Sequence, residues 1–326
     1  MTIDIHCHFI PRAFLDYLLR DPRSDVHLVH DEGERIDITV GPRAFGLNPV
    51  FFDVERQLRR MDELGIERTI LSLATPLVHY DRRGQDAREM ALLCNDGLAK
   101  TVRSNPARFG AWAFLPMQEP DMAAAELRRC VTEHGFVGGH IASNVNGVYP
   151  DRELFRPVYD MAIKLDAPLF MHPANPLGRE CMTEYELTVV AGYLFDSTIA
   201  ILKLICSGTL DRYEGLKLVC AHTGAFSLAL RARMQREVDT NPDLARRLKK
   251  PIGEYLAGLY YESVCFEPEI LNYARNVVPP QRIMLGSDGP FPLGEADPVG
   301  FINRAIPDPR ERALILRDNA RHLFGY

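Results

Sequence analysis

The 326-residue sequence lacks several features that mark whole classes of protein. Its acidic residues outnumber its basic residues by 44 to 38, so the excess of positive charge on which general nucleic-acid binding relies is absent. No apolar run reaches the roughly 20 residues that cross a bilayer. The N-terminus also has no basic region followed by an apolar stretch. We therefore expect no nucleic-acid partner, no membrane span and no secretory leader.

Cysteine is present but does not suggest disulfide bonds. The seven cysteines are scattered and odd in number, whereas a disulfide framework uses an even set at short spacings. This predicts a protein of the reducing cytoplasm. Apolar residues make up 46% and charged residues 25% of the chain, which is typical of a globular protein long enough to bury a sizeable core.

Short apolar runs rich in strand formers alternate with helical patterns along most of the chain. Because several runs are almost continuously apolar, they are typical of parallel strands covered by helices. Eight such strands over about 300 residues predict an α/β fold, a (β/α)₈ TIM-type barrel. A doubly wound sheet is the alternative, but no glycine-rich phosphate turn follows the first run. The predicted strands are Ile3–His8, Ile66–Leu73, Phe109–Leu115, Val137–Ala142, Pro168–His172, Leu216–His222, Leu259–Cys265 and Arg282–Asp288.

One connection is too long for a plain loop. Residues 9–52 follow the first predicted strand and contain an alternating segment, Arg35–Val40. We interpret them as a small insertion over the mouth of the barrel. The prediction for the whole chain is a single barrel domain over residues 1–326.

The first strand ends with two histidines separated by a cysteine. Since side chains alternate along a strand, His6 and His8 point the same way and Cys7 points the opposite way. In a barrel, both imidazoles would then face the interior at the carboxyl-end mouth, where active sites form. Two neutral imidazoles on one face can bind a divalent metal.

Three further ligand-type residues end predicted strands. His172, His222 and Asp288 end the fifth, sixth and eighth strands. Together with His6 and His8 they predict a mixed nitrogen and oxygen site for one divalent metal. On this reasoning His222 is either a proton-transfer group beside the metal or itself a ligand. The alternative is a polar barrel core of hydrogen-bonded histidines, which would cost free energy for each group left unpaired.

Four motifs carry a resemblance to a known family. The segments IDIHCHFIP, FMHPAN, CAHTGAF and LGSDGPFPLGE resemble motifs of the amidohydrolase superfamily in its decarboxylase-type branch. The resemblance covers nearly the whole chain. It implies a (β/α)₈ barrel with one divalent metal ion, Zn²⁺ or, as the alternative, Mn²⁺.

The resemblance also assigns roles to residues. It implies that His6, His8, His172 and Asp288 bind the metal, that His222 acts as acid or base, and that Asp288 belongs to the catalytic group as well. The fourth strand has no lysine of the kind that bridges two metals in other members, which fits a single ion.

Substrate carboxylates in this branch meet arginines. The nearest candidates here are Arg43, in the long first connection, and Arg231 or Arg233, after the sixth strand. The resemblance further suggests a homodimer or larger homo-oligomer, in which the second arginine reaches across the interface.

The implied reaction is non-oxidative decarboxylation of an unsaturated or aromatic carboxylic acid, such as a carboxymuconate semialdehyde or a hydroxybenzoate. The same ligand residues would also serve a hydrolase of a lactone, amide or ester, or a hydratase of an unsaturated acid, because the superfamily fold supports many chemistries. A metal-binding module without turnover is the remaining alternative.

Overall fold

Parallel strands form a barrel in the computed structural model, which describes residues 1–31, 35–41 and 43–326. The predicted (β/α)₈ barrel is therefore confirmed. The strands of the described residues are β1 (Ile3–Phe9), β2 (Val26–Asp31), β3 (Ile36–Val40), β4 (Arg43–Leu47), β5 (Arg68–Leu73), β6 (Phe109–Phe114), β7 (Gly138–Ala142), β8 (Leu169–His172), β9 (Leu218–Cys220), β10 (Tyr260–Glu262) and β11 (Ile283–Met284).

Eight of these strands make up the barrel, in the order β1-β5-β6-β7-β8-β9-β10-β11. Backbone hydrogen bonds join its two ends. The N–H of Ile5 donates to the carbonyl oxygen of Leu285 at 2.9 Å, and the N–H of Ser287 donates to that of His6 at 3.2 Å. The chain just after β11 therefore lies beside β1, and these hydrogen bonds connect the last strand of the barrel to the first.

Helices cover the barrel and connect its strands. In α2, the Asp53 side chain accepts hydrogen bonds from the N–H groups of Glu55 (2.8 Å) and Arg56 (3.0 Å), which stabilises the first turn. The described helices are α1 (Arg12–Arg20), α2 (Val54–Glu63), α3 (Gly84–Ser104), α4 (Pro120–His134), α5 (Arg156–Lys164), α6 (Tyr193–Cys206), α7 (Thr209–Arg212), α8 (Arg231–Thr240), α9 (Pro242–Ala245), α10 (Ile252–Gly258), α11 (Pro268–Val277), α12 (Pro298–Ala305), α13 (Pro309–Ala313) and α14 (Asn319–Phe324).

An apolar cluster fills the lower part of the barrel. Residues that come from six different barrel strands can meet only inside it. The indole N–H of Trp112 also donates to the carbonyl oxygen of Ile5 at 2.9 Å. This packed layer is the floor on which the polar residues of the mouth rest. Its strand members are Ile3, Ile5, Ile70, Trp112, Phe170, Val219 and Met284.

Strand β1 carries one extra residue relative to its neighbour β5. Asp4 pairs with Thr69, but Cys7 pairs with Leu71, so three steps along β1 match two along β5. Such a bulge changes which side chains face each way. Cys7 faces the helical layer, where the amide of Gln57 donates to its sulfur at 3.1 Å, as the sequence predicted.

The insertion after β1 consists of α1 and an antiparallel sheet in the order β2-β3-β4. It contacts loops at the carboxyl ends of the barrel strands. The Asn48 amide lies 3.4 Å from the carbonyl oxygen of Pro290, and the Asp25 carboxylate lies 3.5 Å from Nδ1 of His79. The insertion therefore lies at the end of the barrel that carries the polar residues.

One helical stretch, Thr188–Cys206, is long and apolar enough to cross a membrane by length and composition alone. The sequence predicted no membrane span, and this stretch contains two charged residues, Asp196 and Lys203. It comprises a π-helical turn followed by α6. One face is buried against the barrel, and Asp196 on that face accepts hydrogen bonds from Asn144 and Tyr149, each at 2.8 Å.

Candidate metal centre

Four imidazoles and one carboxylate meet at the mouth of the barrel. His6 and His8 lie near the end of β1, and His172 ends β8. His222 lies two residues beyond β9, and Asp288 lies four residues beyond β11. All are buried except His222, which is partly exposed. The structure thus brings together the five residues that the sequence placed at strand ends.

The imidazoles converge on the Asp288 carboxylate. Its Oδ1 lies 2.9 Å from Nε2 of His8, 3.2 Å from Nε2 of His6 and 4.0 Å from Nε2 of His172. Nε2 of His222 approaches the other oxygen, Oδ2, at 3.4 Å. Three rings therefore surround one carboxylate oxygen, and the fourth lies at the second oxygen.

The three rings around Oδ1 of Asp288 each have a hydrogen-bond acceptor beside Nδ1. Nδ1 of His6 lies 3.1 Å from the Glu262 carboxylate, and Nδ1 of His8 and of His172 lie 3.3 and 2.7 Å from the backbone carbonyl oxygens of Leu73 and Pro173. Since carboxylates and carbonyls only accept hydrogen bonds, each Nδ1 is the donor. That leaves each Nε2 directed at the centre, as in protein metal sites.

The donor set fits a divalent cation. Nε2 of His172 is buried and has no hydrogen-bond partner within the part of the chain that the structure describes, an unusual state for such a group. One ligand atom from each of His6, His172, His222 and Asp288 lies within 4.8 Å of the others. His8 is as close to His6 and Asp288, so both His8 and His222 are within reach of an ion.

Charges around the centre favour a positive ion. Burial works against the charged form of Asp288, but the surrounding imidazoles, His6 above all, hold its pKa well below its usual value. Burial lowers the pKa of His172 well below its usual value, so this ring is neutral. Burial also acts to lower the pKa of His6, but Asp288 and Glu262 outweigh it and raise that pKa to about 10.

Glu262 is a site residue that the sequence analysis missed. It is fully buried at the end of β10. Besides His6, its carboxylate accepts hydrogen bonds from the backbone N–H groups of His222 and, at 2.5 Å, of Val264. Glu262 therefore positions both a candidate ligand and the candidate acid or base. Its signal in the sequence is a carboxylate within an apolar strand, which is costly unless it has partners.

A second buried carboxylate supports the Asp288 loop. Asp4 accepts hydrogen bonds from the Ser287 hydroxyl at 2.6 Å and from the Ser287 backbone N–H at 3.1 Å. Burial raises the pKa of Asp4 to about 6. Asp288 itself has φ of +55°, a conformation that L-residues rarely adopt. The contacts of Ser287 with Asp4 help hold the neighbouring ligand in this conformation.

Aromatic rings border the histidines. Phe170 of the floor lies below His6, with ring centroids 5.0 Å apart, and Phe291 contacts His8 edge to face at 5.1 Å. Phe291 in turn packs on Phe51 at 4.9 Å. The fourth-strand histidine, His140, is buried and its centroid lies 6.0 Å from that of His172. Phe170 and Phe291 therefore give His6 and His8 apolar neighbours.

The three predicted substrate arginines lie in different places. Arg43 begins β4, and its Nη2 is 2.7 Å from Oε2 of Glu186, in the segment before α6. Arg231 and Arg233 are exposed on α8, and no hydrogen bond or ion pair within the described residues joins them to the histidines. Only Arg43 therefore approaches the mouth within one chain, and the roles of Arg231 and Arg233 stay predictions.

Comparison with known proteins finds a matching family and several relatives. A family model described as "Amidohydrolase" matches residues 3–326. The chain is 29% identical to 2-amino-3-carboxymuconate-6-semialdehyde decarboxylase of Dictyostelium discoideum, over 100% of this chain and 92% of that protein. It is 32% identical to gamma-resorcylate decarboxylase of Polaromonas sp. strain JS666, over 83% and 86% of the two chains.

A solved structure adds a likeness in three dimensions. Dihydroxybenzoic acid decarboxylase of Polaromonas sp. JS666, solved with bound manganese and the inhibitor 2-nitroresorcinol, superposes with a TM-score of 0.80 at 26% identity. The match covers 99% of this chain and 96% of that one. The barrel described above is thus shared over essentially its full length with an enzyme whose structure holds a metal.

Proposed function

The chain belongs to the amidohydrolase family, and on that premise we propose that it is a metal-dependent, non-oxidative decarboxylase of an aromatic or unsaturated carboxylic acid, a carboxy-lyase. The observation that carries the proposal is the convergence of three imidazoles on Oδ1 of Asp288. The names of the relatives support the reaction type.

We assign the metal to His6, His8, His172 and Asp288, with one ion per chain. The geometry supports this set, because these three rings share the same carboxylate oxygen whereas His222 lies at the other one. Three nitrogens and one carboxylate suit zinc, although the family neighbour with manganese makes that metal the alternative. When bound, such a cation is a Lewis acid toward a carboxylate or hydroxyl of the substrate.

We assign to His222 the role of proton donor. In decarboxylation the bond between the carboxyl carbon and its neighbour breaks, CO₂ leaves, and the electron pair stays on the remaining carbon. A proton must then reach that carbon. His222 is the most exposed of the four imidazoles around Asp288, so it can face both the substrate and the solvent that restores its proton. Its φ of +54°, together with the Glu262 contact to its N–H, directs the ring toward the centre.

The buried surroundings assist the reaction. Phe170 and Phe291 exclude water on two sides of the centre, and charges interact more strongly where water is absent. Arg43 is the candidate for orienting an acidic group of the substrate through paired hydrogen bonds.

The direct test is CO₂ release. Protein loaded with zinc or manganese is incubated with hydroxybenzoates and carboxymuconate-type acids, and CO₂ and the decarboxylated product are measured together. We expect equal amounts of both for at least one acid, and none after chelation. A protein that opens lactones, cleaves amides or esters, or adds water to an unsaturated acid, but releases no CO₂ from any acid, would contradict the proposal.

We further propose a homodimer. Apolar side chains of α6, including Phe195 and Ile199, are exposed, and the Phe195 ring packs on exposed Phe226 at 5.2 Å. A contiguous exposed apolar patch supports contact with a second copy. Light scattering after size exclusion should give twice the mass of one chain, and Phe195→Ser should shift the protein toward monomer. A monomeric wild-type protein would contradict this proposal.

A further inference from the structure

Arg60 on α2 is a partly buried arginine whose charge is not paired. Its Nη1 atom is fully buried and has no hydrogen-bond partner. Among the residues that the structure describes, no carboxylate lies within ion-pair distance of this guanidinium. Buried donors of this kind nearly always have an acceptor, so the position of the Arg60 side chain must have another cause.

Two carboxylates close to Arg60 leave it unpaired. Glu63 and Glu295 line the same cavity as the arginine, and a guanidinium can bind a carboxylate through two parallel hydrogen bonds. Neither carboxylate makes this contact. Charge pairing therefore does not determine where the guanidinium lies.

The guanidinium instead fills the space beside Gly289 that a side chain would take. A methyl group at position 289 would lie 2.5 Å from Cζ of Arg60 and 2.9 Å from Nη1, closer than such atoms approach in proteins. A guanidinium is planar and weakly hydrated, so it can pack closely on a peptide group. Any larger residue at position 289 would have to move the guanidinium or the backbone.

The backbone of Gly289 joins two candidate metal ligands. Gly289 follows Asp288 directly, and its carbonyl oxygen accepts a hydrogen bond from the backbone N–H of His8 at 2.6 Å. Its own N–H donates to the Ser287 hydroxyl at 3.1 Å. A shift of this peptide would therefore displace Asp288, His8 or both.

A second close contact confines the backbone of Asp288. A methyl group at Gly294 would lie 2.7 Å from the carbonyl oxygen of Asp288 and 2.8 Å from that of Ser287. The positive φ of Asp288 is a conformation that persists only where the surrounding structure holds it. Arg60 extends this confinement to the next residue, Gly289.

We propose that Arg60 is a positioning residue of the metal centre. It packs on Gly289, and through that peptide it holds Asp288 and His8 in the geometry that receives the ion. This inference rests on the proposed function, which assigns the metal to those two side chains. Arg60 acts through the backbone and is not itself a ligand.

A pair of substitutions tests the contact. Zinc affinity is measured by competition with a fluorescent chelator, and the visible absorption of Co²⁺-loaded protein reports the arrangement of the ligands. Gly289→Ala should weaken zinc binding about 10- to 100-fold and change the Co²⁺ spectrum, because its methyl group displaces the guanidinium or the backbone. Arg60→Ala should weaken zinc binding about tenfold, because it removes the contact without forcing a shift.

The double variant gives the sharpest result. Its methyl group can enter the space that the guanidinium leaves, so it should bind zinc no more weakly than Arg60→Ala alone. Independent sites would instead give additive losses. If Gly289→Ala does not fold, the double variant should restore folded protein that binds zinc. Arg59→Ala, an exposed arginine on the same helix, is the matched control and should keep the wild-type affinity and spectrum.

Three results would overturn the positioning role while the proposed function stands: additive losses in the double variant, a double variant that stays unfolded, or wild-type zinc affinity and Co²⁺ spectrum in Arg60→Ala. A wild-type protein that binds no stoichiometric zinc or cobalt would instead remove the metal centre, and with it both proposals.

Discussion

The pocket has two charged regions that differ in burial. Its inner end is the group of residues around Asp288, and its rim carries the ion pair of Arg43 and Glu186. At the inner end, His6, His8 and Glu262 are fully buried, on strands of the barrel. At the rim, Arg43 and Glu186 meet at 2.7 Å in partly open surroundings, one on the small sheet and one in a turn. The attraction between opposite charges is thus far stronger at the inner end than at the rim.

The difference indicates how the two regions divide the work. A buried charge that loses its partner costs several kcal/mol, whereas an exposed pair contributes little. The inner end is therefore suited to the reaction itself, because changes there cost much stability. The rim is suited to selecting among substrates, because changes there cost little. Changing residues in both regions tests this division directly.

The largest effect should follow from removing the metal. Chelation should abolish turnover, because the inner end has no other Lewis acid. It should also lower stability, by about 2.7 kcal/mol if free metal had been present at 100 times its dissociation constant. Activity and melting temperature are measured before chelation, after it, and after zinc is restored. Full turnover by metal-free protein would contradict the assigned centre.

The next largest effect is expected for His222→Asn. Losing the proton donor should lower kcat about 10²- to 10⁴-fold, while bound metal, measured by inductively coupled plasma analysis, stays at the wild-type level. His322→Asn, an exposed histidine on α14, is the control. Loss of metal together with activity would instead make His222 a ligand.

Glu262→Gln should have an intermediate effect. The amide keeps the shape of the side chain but removes the charge that fixes Nδ1 of His6, so metal affinity should fall about 10- to 100-fold. Competition with a fluorescent chelator measures that affinity, and the exposed Glu214→Gln serves as control. If metal affinity is unchanged, Glu262 does not position His6.

Glu186→Gln should have the smallest effect on stability, although it makes the same chemical change at the rim. We expect the free energy of unfolding in urea to change by less than about 1 kcal/mol. A loss of about 3–5 kcal/mol, the size expected when a buried charge loses its partner, would contradict the contrast between the two regions.

Much of the inner end could be predicted from the sequence. His6, His172 and Asp288 each end an apolar run, and a parallel barrel brings all such ends to one mouth. The limits of one strand differ from the prediction. The seventh predicted strand, Leu259–Cys265, is the shorter β10 (Tyr260–Glu262), because strand pairing ends where Glu262 turns to accept backbone N–H groups.

The rim was harder to predict because its contacts join distant parts of the chain. Nothing near Arg43 in the sequence indicates that Glu186, 143 residues away, is its partner. Tyr193 lies in a helical pattern whose first turns are π-helical, which shifts the faces that periodicity alone assigns. The exposure of Arg231 and Arg233 on α8 likewise depends on packing that no local pattern encodes.

The bulge in β1 decides which side chains the first strand directs into the barrel. Below it, Ile3 and Ile5 belong to the interior cluster. Had simple alternation continued, the thiol of Cys7 would have taken the next inward place and both neighbouring imidazoles would have faced the helices. The same sequence paired without the bulge would offer sulfur instead of nitrogen to an ion, and so a softer site for different metals. The bulge in β1 thus decides whether this strand offers nitrogen or sulfur ligands to a metal ion.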